Sequence, residues 1–316
     1  MHNNLYWAVD IGGTKILSLL IDKTGQVLYR EKNPTPNPAH PEAIVKSIKE
    51  TMEKAATSAG ISPACTPSGL AVCIAGFVES DKKIVHQSPN LQWQKPVPLG
   101  EILSANLSCP VLIENDTNAA VVGETIYGAA YGHSDVIYVT LSTGIGGGFF
   151  LNGRLYRGGS GFAAEIGHTK PFGKGRRCKC GGNNCLEAWA SGTAITEIAE
   201  DLWDKDELKS GPINAKQVFE EADSGNVLAQ KIIEHAASSI GTGLANLITL
   251  LNPTCLVIGG GIAAGRKEFF EQVREIIKQE AIRPAIEITP LNIIEAELEP
   301  EAGIWGAYAL ITGKAE

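Results

Sequence analysis

The chain has 316 residues, 44% of them hydrophobic and 20% charged, with a formal charge of −8 and a pI near 5.4. That length exceeds what one ordinary core holds, so two lobes are expected, and the composition excludes a disordered chain. The acidic balance excludes nucleic-acid binding over the whole surface; Lys170, Lys174, Arg176, Arg177 and Lys179 form too small a cluster to reverse it.

The opening "MHNNLYWAVD" has no basic stretch leading into an apolar one, and no run approaches the ~18 apolar residues of a membrane helix. A cytoplasmic protein without membrane contact is expected. Of seven Cys, Cys65, Cys73, Cys109 and Cys255 lie in or beside apolar, strand-like sequence and read as unpaired core or near-core thiols. The other three crowd together, which in a reducing compartment argues for metal over disulfides.

The chain opens with three predicted strands, "LYWAVDI", "KILSLLI" and "QVLYREKN", joined by "GGT" and "DKTG" turns as an antiparallel meander. A helix follows over "PEAIVKSIKETMEKAATSAG", with Pro at its head and Gly at its end, then a buried strand, "SGLAVCIAG". "CPVLIEND" is a strand ending in polar residues, followed by a helix over "TNAAVVGETIYGAA" whose end is a natural lobe boundary. "DVIYVTLSTGIGGGFFLNGRLYRGG" then repeats the opening pattern of strand, glycine turn, strand and turn, which suggests a structural duplication.

Helices are expected over "LEAWASGTAITEIAEDLW" and over "NVLAQKIIEHAASSIGTGLANLITLLNP", the latter stopped at Asn252-Pro253. The remaining elements are a strand "CLVIGGGI", a helix "RKEFFEQVREIIKQEA", a strand "AIEITPL" and a final helix "EAGIWGAYALI". This mixture points to a layered α/β or α+β fold.

Three strands run into glycine turns: "VDIGGTK", "LSTGIGGG" and "VIGGGIAAG". One such turn is usually only a hairpin, but glycine also lets backbone N–H groups approach a phosphate. Three in one chain, with Asp10, Thr14, Lys15, Ser142 and Thr143 beside them, make nucleotide binding the leading reading. There is no G-x-x-x-x-G-K-[ST] motif. "GGGIAA" fits a loose dinucleotide pattern, but the acidic residue expected about 20 positions on is Glu287, 28 after Gly259, so an NAD-dependent oxidoreductase is the poorer reading.

"IENDTNAA" places Glu114, Asn115, Asp116 and Asn118 where a strand becomes a helix. They read equally as helix caps or as the setting of a general base, and phosphoryl transfer needs a base for the acceptor, charge stabilisation and positioning. Farther on, His168, Cys178, Cys180 and Cys185 supply the four N/S ligands favoured by tetrahedral Zn²⁺ at a structural site, which leaves no position for a reactive water. Such a site would fix Glu165 and Glu187 relative to each other, and carboxylates so held suit the vicinal hydroxyls of a sugar.

The motifs "DIGGTK", "PNLQW", "ENDTNAA", "STGIGGG", "GGSGFAAEIGH", "CKCGGNNCLEAWASG" and "LVIGGGI" together resemble the ROK family of sugar kinases and related repressors. The resemblance implies an α/β, two-lobed actin/hexokinase-like (RNase H-like duplicated) fold. A smaller lobe would span 1–120 with a C-terminal helix at about 300–316, and a larger lobe, carrying the zinc loop and nucleotide turns, 121–299.

It implies Asp116 as the catalytic base for the sugar 6-hydroxyl, and Asn90, Asn115, Asp116, Glu165, His168 and Glu187 as sugar contacts. His168, Cys178, Cys180 and Cys185 would bind structural Zn²⁺. ATP with Mg²⁺ would lie on Asp10, Gly12, Gly13, Thr14, Lys15, Thr143 and Gly144, with adenosine beside Gly259, Gly260 and Gly261. A homodimer is implied.

Glucokinase is the expected activity, with N-acetylmannosamine kinase, N-acetylglucosamine kinase and fructokinase open, and polyphosphate open as donor. The family's repressors place a DNA-binding domain before the first glycine motif, which here begins at Asp10. Ala164 stands where Gly is common in the family's glucokinases, and Ala163-Ala164-Glu165 resembles instead N-acetylmannosamine kinases; Thr117 stands where Ala is common.

Overall fold

In this computed structural model, residues 4–58, 67–171, 175–203, 213–288 and 290–315 are described; Cys65 and Lys174 lie outside them. The opening meander forms as its alternation requires. β1 (Leu5–Ile11), β2 (Lys15–Asp22) and β3 (Val27–Pro34) pair antiparallel, with Ile11 opposite Ile16 and Lys15 opposite Pro34. β3, at the edge of the sheet, exposes every second residue, as a strand with one side toward solvent does. β4 (Gly69–Ile74), buried at every position, pairs parallel with β1, and β7 (Val111–Asn115) pairs parallel with β4. The sheet order is β3-β2-β1-β4-β7.

A period of two divides this sheet's faces. Leu5, Trp7, Val9 and Ile11 pack with Ile44, Val45 and Ile48 of α1 (Pro41–Ser58) and with Leu99 and Leu103 of α2 (Leu99–Asn106). Between β4 and α2 the chain folds a hairpin, β5 (Phe77–Glu79) and β6 (Ile84–Gln87), which the sequence reading did not separate. The opposite face, at Ala8, Leu19, Ala71 and Cys73, meets α3 (Asp116–Tyr127) and α10 (Ala302–Ile311). These helices approach closely because they lack side chains where they meet: a Cβ on Gly123 would strike Ala302 O, and one on Gly306 would strike Ala119 O.

The second sheet contains β8 (Val136–Leu141), β9 (Ile145–Leu151), β10 (Arg154–Leu155), β11 (Cys255–Gly259) and β12 (Asn292–Glu295), in the order β10-β9-β8-β11-β12. Ranked by chain position, both sheets read third, second, first, fourth, fifth. β11 pairs parallel with both β8 and β12. Its helices are α4 (Glu187–Ala190), α5 (Gly192–Leu202), α6 (Ala215–Asp223), α7 (Val227–Leu251), α8 (Lys267–Glu280) and α9 (Arg283–Glu287). Ser191 splits the helix expected over 186–203 by capping Ala194 N.

One strand was misplaced. Of "AIEITPL", Ala285, Ile286 and Glu287 are helical, in α9 with Pro284 in its first turn, and Thr289 lies outside the described residues. The strand is β12, where Asn292 comes opposite Cys255 and a parallel partner is available. Glu287 is therefore not at the end of a strand, which removes the acidic residue that a dinucleotide fold requires.

The chain divides into two compact units. The first comprises Met1–Ser134, Gly148–Ala163 and Glu297–Glu316; the second comprises Asp135–Gly147 and Ala164–Ala296. Among the described residues no helix is long and apolar enough to cross a membrane.

Candidate active site

In the first unit, β7 hands over to α3 at Asn115 and Asp116. Asn115 is the N-cap: its Oδ1 accepts from Thr117 N (2.9 Å), Thr117 Oγ1 (2.7 Å) and Asn118 N (3.0 Å), and its Nδ2 donates to Gly76 O (3.0 Å). The capping reading thus holds for Asn115, which keeps one N–H for another partner. Asp116 begins the helix, with Oδ1 accepting from Thr117 N (2.9 Å). Burial raises its pKa, although the backbone N–H groups of Thr117 and Asp116 favour the charged form.

Asp10, at the end of β1, is the second carboxylate here. Burial first, and then the like charge of Asp116, raise its pKa to about 6, against the Cys73 thiol and Lys15. Cys73 Sγ lies 3.7 Å from Asp10 Oδ1 and 3.6 Å from Val9 O, a neighbour that sequence reading had assigned only to the core. The turn between β1 and β2 closes through Gly12 N to Lys15 O (2.9 Å). A Cβ on Gly13 would lie 2.9 Å from Asn90 O, so this glycine lets the "GGTK" turn touch the "PNLQW" segment. Asp10, Gly12, Gly13, Thr14, Lys15, Asn90, Asn115 and Asp116 therefore gather in one unit.

In the second unit, one ligand atom from each of His168, Cys178, Cys180 and Cys185 lies within 4.8 Å of all the others. Zn–S bonds of about 2.3 Å at tetrahedral angles require S···S spacings of about 3.8 Å. Cys180 and Cys185 are 3.7 Å apart, and Cys178 Sγ is 3.8 Å from His168 Nδ1, so the residues present fit the ion. Gly181 at φ +91° and Asn184 at φ +63° turn the chain tightly between the cysteines. Burial pushes the Cys178 thiol up to about 12, so a metal must displace its proton on binding.

Two carboxylates lie beside this cluster. His168 Nε2 is 3.9 Å from Glu165 Oε2, while its other nitrogen faces Cys178. Glu187 Oε2 accepts from Ile145 N (3.0 Å) on the "STGIGGG" turn, and its Oε1 lies 4.0 Å from Cys178 Sγ. A Cβ on Gly144 would sit 2.6 Å from Glu187 Oε2, so the glycine is what admits that carboxylate. Ala164 has φ +64°, the left-handed region where a methyl group is strained.

The second unit also forms a cleft of about 540 Å³ lined by Thr143, Gly261, Thr196, Glu197, Asn214 and Lys216, among others. Thr193 N and Oγ1 both donate to Thr143 O (3.2 and 2.9 Å), and Ile262 N donates to Leu141 O (2.9 Å). Gly260 takes φ +92° where a Cβ would strike Leu141 O. Thr143 and Gly261 thus line one cleft, with Gly260 against Leu141; Gly144 instead borders Glu187, and Gly259 lies opposite Thr140. Sequence reading missed Thr196, Asn214 and Lys216; the Asn214-to-Gln217 capping box was the legible signal for α6.

A family model for the ROK family matches residues 6–314. A glucokinase of Streptomyces coelicolor is 34% identical over 96% of both chains, and an N-acetylmannosamine kinase of Citrobacter koseri is 31% identical over 97% of this chain and 98% of its own. The crystal structure of a ROK family glucokinase from Streptomyces griseus in complex with glucose and AMPPNP covers 97% of this chain and 98% of its own, at 32% identity and a TM-score of 0.76. With family, relatives and solved fold in agreement over nearly its whole length, this chain belongs to the ROK family.

Proposed function

We propose that this protein is an ATP-dependent hexose kinase that transfers the γ-phosphoryl group of ATP to a sugar 6-hydroxyl, glucose being the leading acceptor. The observation that carries the reading is Asp116: a carboxylate of raised pKa at a capped helix start, in a chain 34% identical to a glucokinase. The ionised Asp116 accepts the proton of the 6-hydroxyl as that oxygen bonds to phosphorus, and ADP leaves with the bridging electron pair.

Asn115 offers its remaining N–H to the sugar, and Asn90, Glu165, His168 and Glu187 bind its other hydroxyls. The turns at Gly12–Lys15 and Thr143–Gly144 take the phosphates, Gly12 N closing the first turn on Lys15 O so that the N–H groups of Gly13 and Thr14 are the ones offered, and the cleft containing Gly261 takes the adenosine. Mg²⁺ would neutralise phosphate charge. Asp10 suits it, since a cation there would offset the burial and, second, the Asp116 charge that raise the Asp10 pKa. Zn²⁺ on His168, Cys178, Cys180 and Cys185 would shape the sugar pocket without joining the reaction. The shared strand order of the two sheets supports a two-lobed actin/hexokinase-type architecture. A smaller lobe over 1–120 with the C-terminal helix, a larger one over 121–299 and a homodimer remain part of this proposal.

A second reading, N-acetylmannosamine kinase, is favoured by Ala164 and by the 31% identical Citrobacter koseri enzyme. An ADP-release assay across glucose, mannose, fructose, N-acetylmannosamine and N-acetylglucosamine decides between them. Absence of ATP turnover with every sugar would refute the kinase reading, and turnover with polyphosphate alone would replace the donor.

A further inference from the structure

Glu114 has no exposed surface, yet all its partners are polar. Oε1 accepts from Ser80 Oγ (3.0 Å), Asn115 N (2.9 Å) and Asn118 Nδ2 (3.0 Å); Oε2 accepts from Arg157 Nε (2.7 Å). The donors come from three places: the end of the β5–β6 hairpin, the junction of β7 with α3, and the segment after β10. All lie within the first unit.

Arg157 anchors a loop. Its carbonyl accepts from Ala163 N (3.1 Å), closing residues 157–163, and Phe162 within that loop packs edge-on against Phe77 (5.9 Å) and His86 (5.7 Å) of the hairpin. The same hairpin follows Gly76, whose carbonyl holds Asn115 Nδ2. Loop, hairpin and helix start therefore converge on one carboxylate.

A buried ion pair recovers little net stability, because desolvation offsets most of its attraction. What it does provide is direction: four hydrogen bonds fix the Glu114 carboxylate, and through Asn115 N and Asn118 Nδ2 they fix the backbone that aims Asp116. We infer that the Glu114–Arg157 pair is a positioning device for the acceptor reaction, holding Asn115 and Asp116 at the angle the sugar hydroxyl requires. The inference rests on the hexose kinase reading.

The test compares wild type with Glu114→Gln, Arg157→Met, Arg157→Lys and the Glu114→Gln/Arg157→Met double variant, measuring kcat, KM for glucose, KM for ATP and thermal unfolding. Displacing a base by about 1 Å costs on the order of 100-fold. Glu114→Gln and Arg157→Met should each lower kcat with glucose by about that factor and leave KM for ATP within about twofold. Arg157→Lys should recover part of the loss, and the double variant should fall no further than the worse single one.

If folded Glu114→Gln and Arg157→Met both keep kcat within about threefold of wild type, the positioning role is wrong. It is equally wrong if lost activity follows a lowered melting temperature and a raised KM for ATP in every variant. Should Glu114→Gln not fold, Arg157→Met decides, since that side chain is 32% exposed and tolerates truncation better. A wild type inactive on every hexose removes the kinase reading and this inference together; an active wild type with unaltered variants removes only this inference.

Discussion

The carboxylates assigned to the sugar are secured by two different devices. Asp116 stands on a helix start, where backbone N–H groups, the Asn115 cap and the buried Glu114 hold it. Glu165 and Glu187 flank a segment rich in glycine and basic residues that, among its described residues, buries few apolar side chains; it is tied by the His168, Cys178, Cys180 and Cys185 cluster, by the hydrogen bond from Ile145 N to Glu187, and by ion pairs from Arg176 to Asp201 (3.1 Å) and from Lys179 to Glu197 (3.3 Å). A helix end supplies its own donors, whereas a loop must import rigidity. Removing Asp116 should therefore abolish chemistry with little structural cost, and removing a metal ligand should loosen sugar binding first.

The sharpest separation comes from Asp116→Asn, which should lower kcat on the order of 10³-fold with KM for ATP almost unchanged, in an ADP-release assay. Next, Cys185→Ser or chelation should remove about one zinc per chain by metal analysis. It should also raise KM for glucose by about tenfold or more and lower the melting temperature. Equal kcat losses without a change in KM would contradict the division of labour between the two devices.

A third effect is on proton binding. Because the folded pKa of Asp10 is raised to about 6 from 3.8, the native state holds this proton more tightly, and the Asp10 contribution to stability declines as pH rises between those values. Asp116→Asn removes the repulsion and should lower the Asp10 pKa, as read by carboxylate NMR titration. A pKa that stays near 6 would leave burial as the sole cause. The smallest effect is at Ala164: Ala164→Gly relieves the left-handed strain and should stabilise by about 0.5–1 kcal/mol in thermal or denaturant unfolding.

Local chemistry decided what could be read in advance. The opening meander, α1, α7 and the Asn115 cap were visible because alternation, helical spacing and polar starts act within a few residues. The metal quartet was visible because ligand type outweighs context. β12 was missed because its strand state depends on pairing with β11, and Glu114–Arg157 because the partners are 43 residues apart. Ala164 was noticed only as a departure from an expected pattern; its φ of +64° depends on the surrounding fold and was not legible.

The glycine contacts between α3 and α10 also bear on the protein's birth. The helix that carries Asp116 is complete by Tyr127, yet the helix against which it packs begins at Ala302, after the whole of the second unit has been made. At about 5–20 residues per second, a nascent chain waits on the order of ten seconds or more between the two. During that interval Gly123 and the Ala119 carbonyl lack the α10 backbone they later meet, and the face of the first sheet at Ala8 and Ala71 lacks the part of its cover that Ile304, Ala307 and Tyr308 supply. The newborn protein should thus complete the packing behind Asp116 only late, and a ribosome stalled before Ala302 should display a chaperone-binding intermediate in which the Asn115 cap is made but α3 lacks its partner helix.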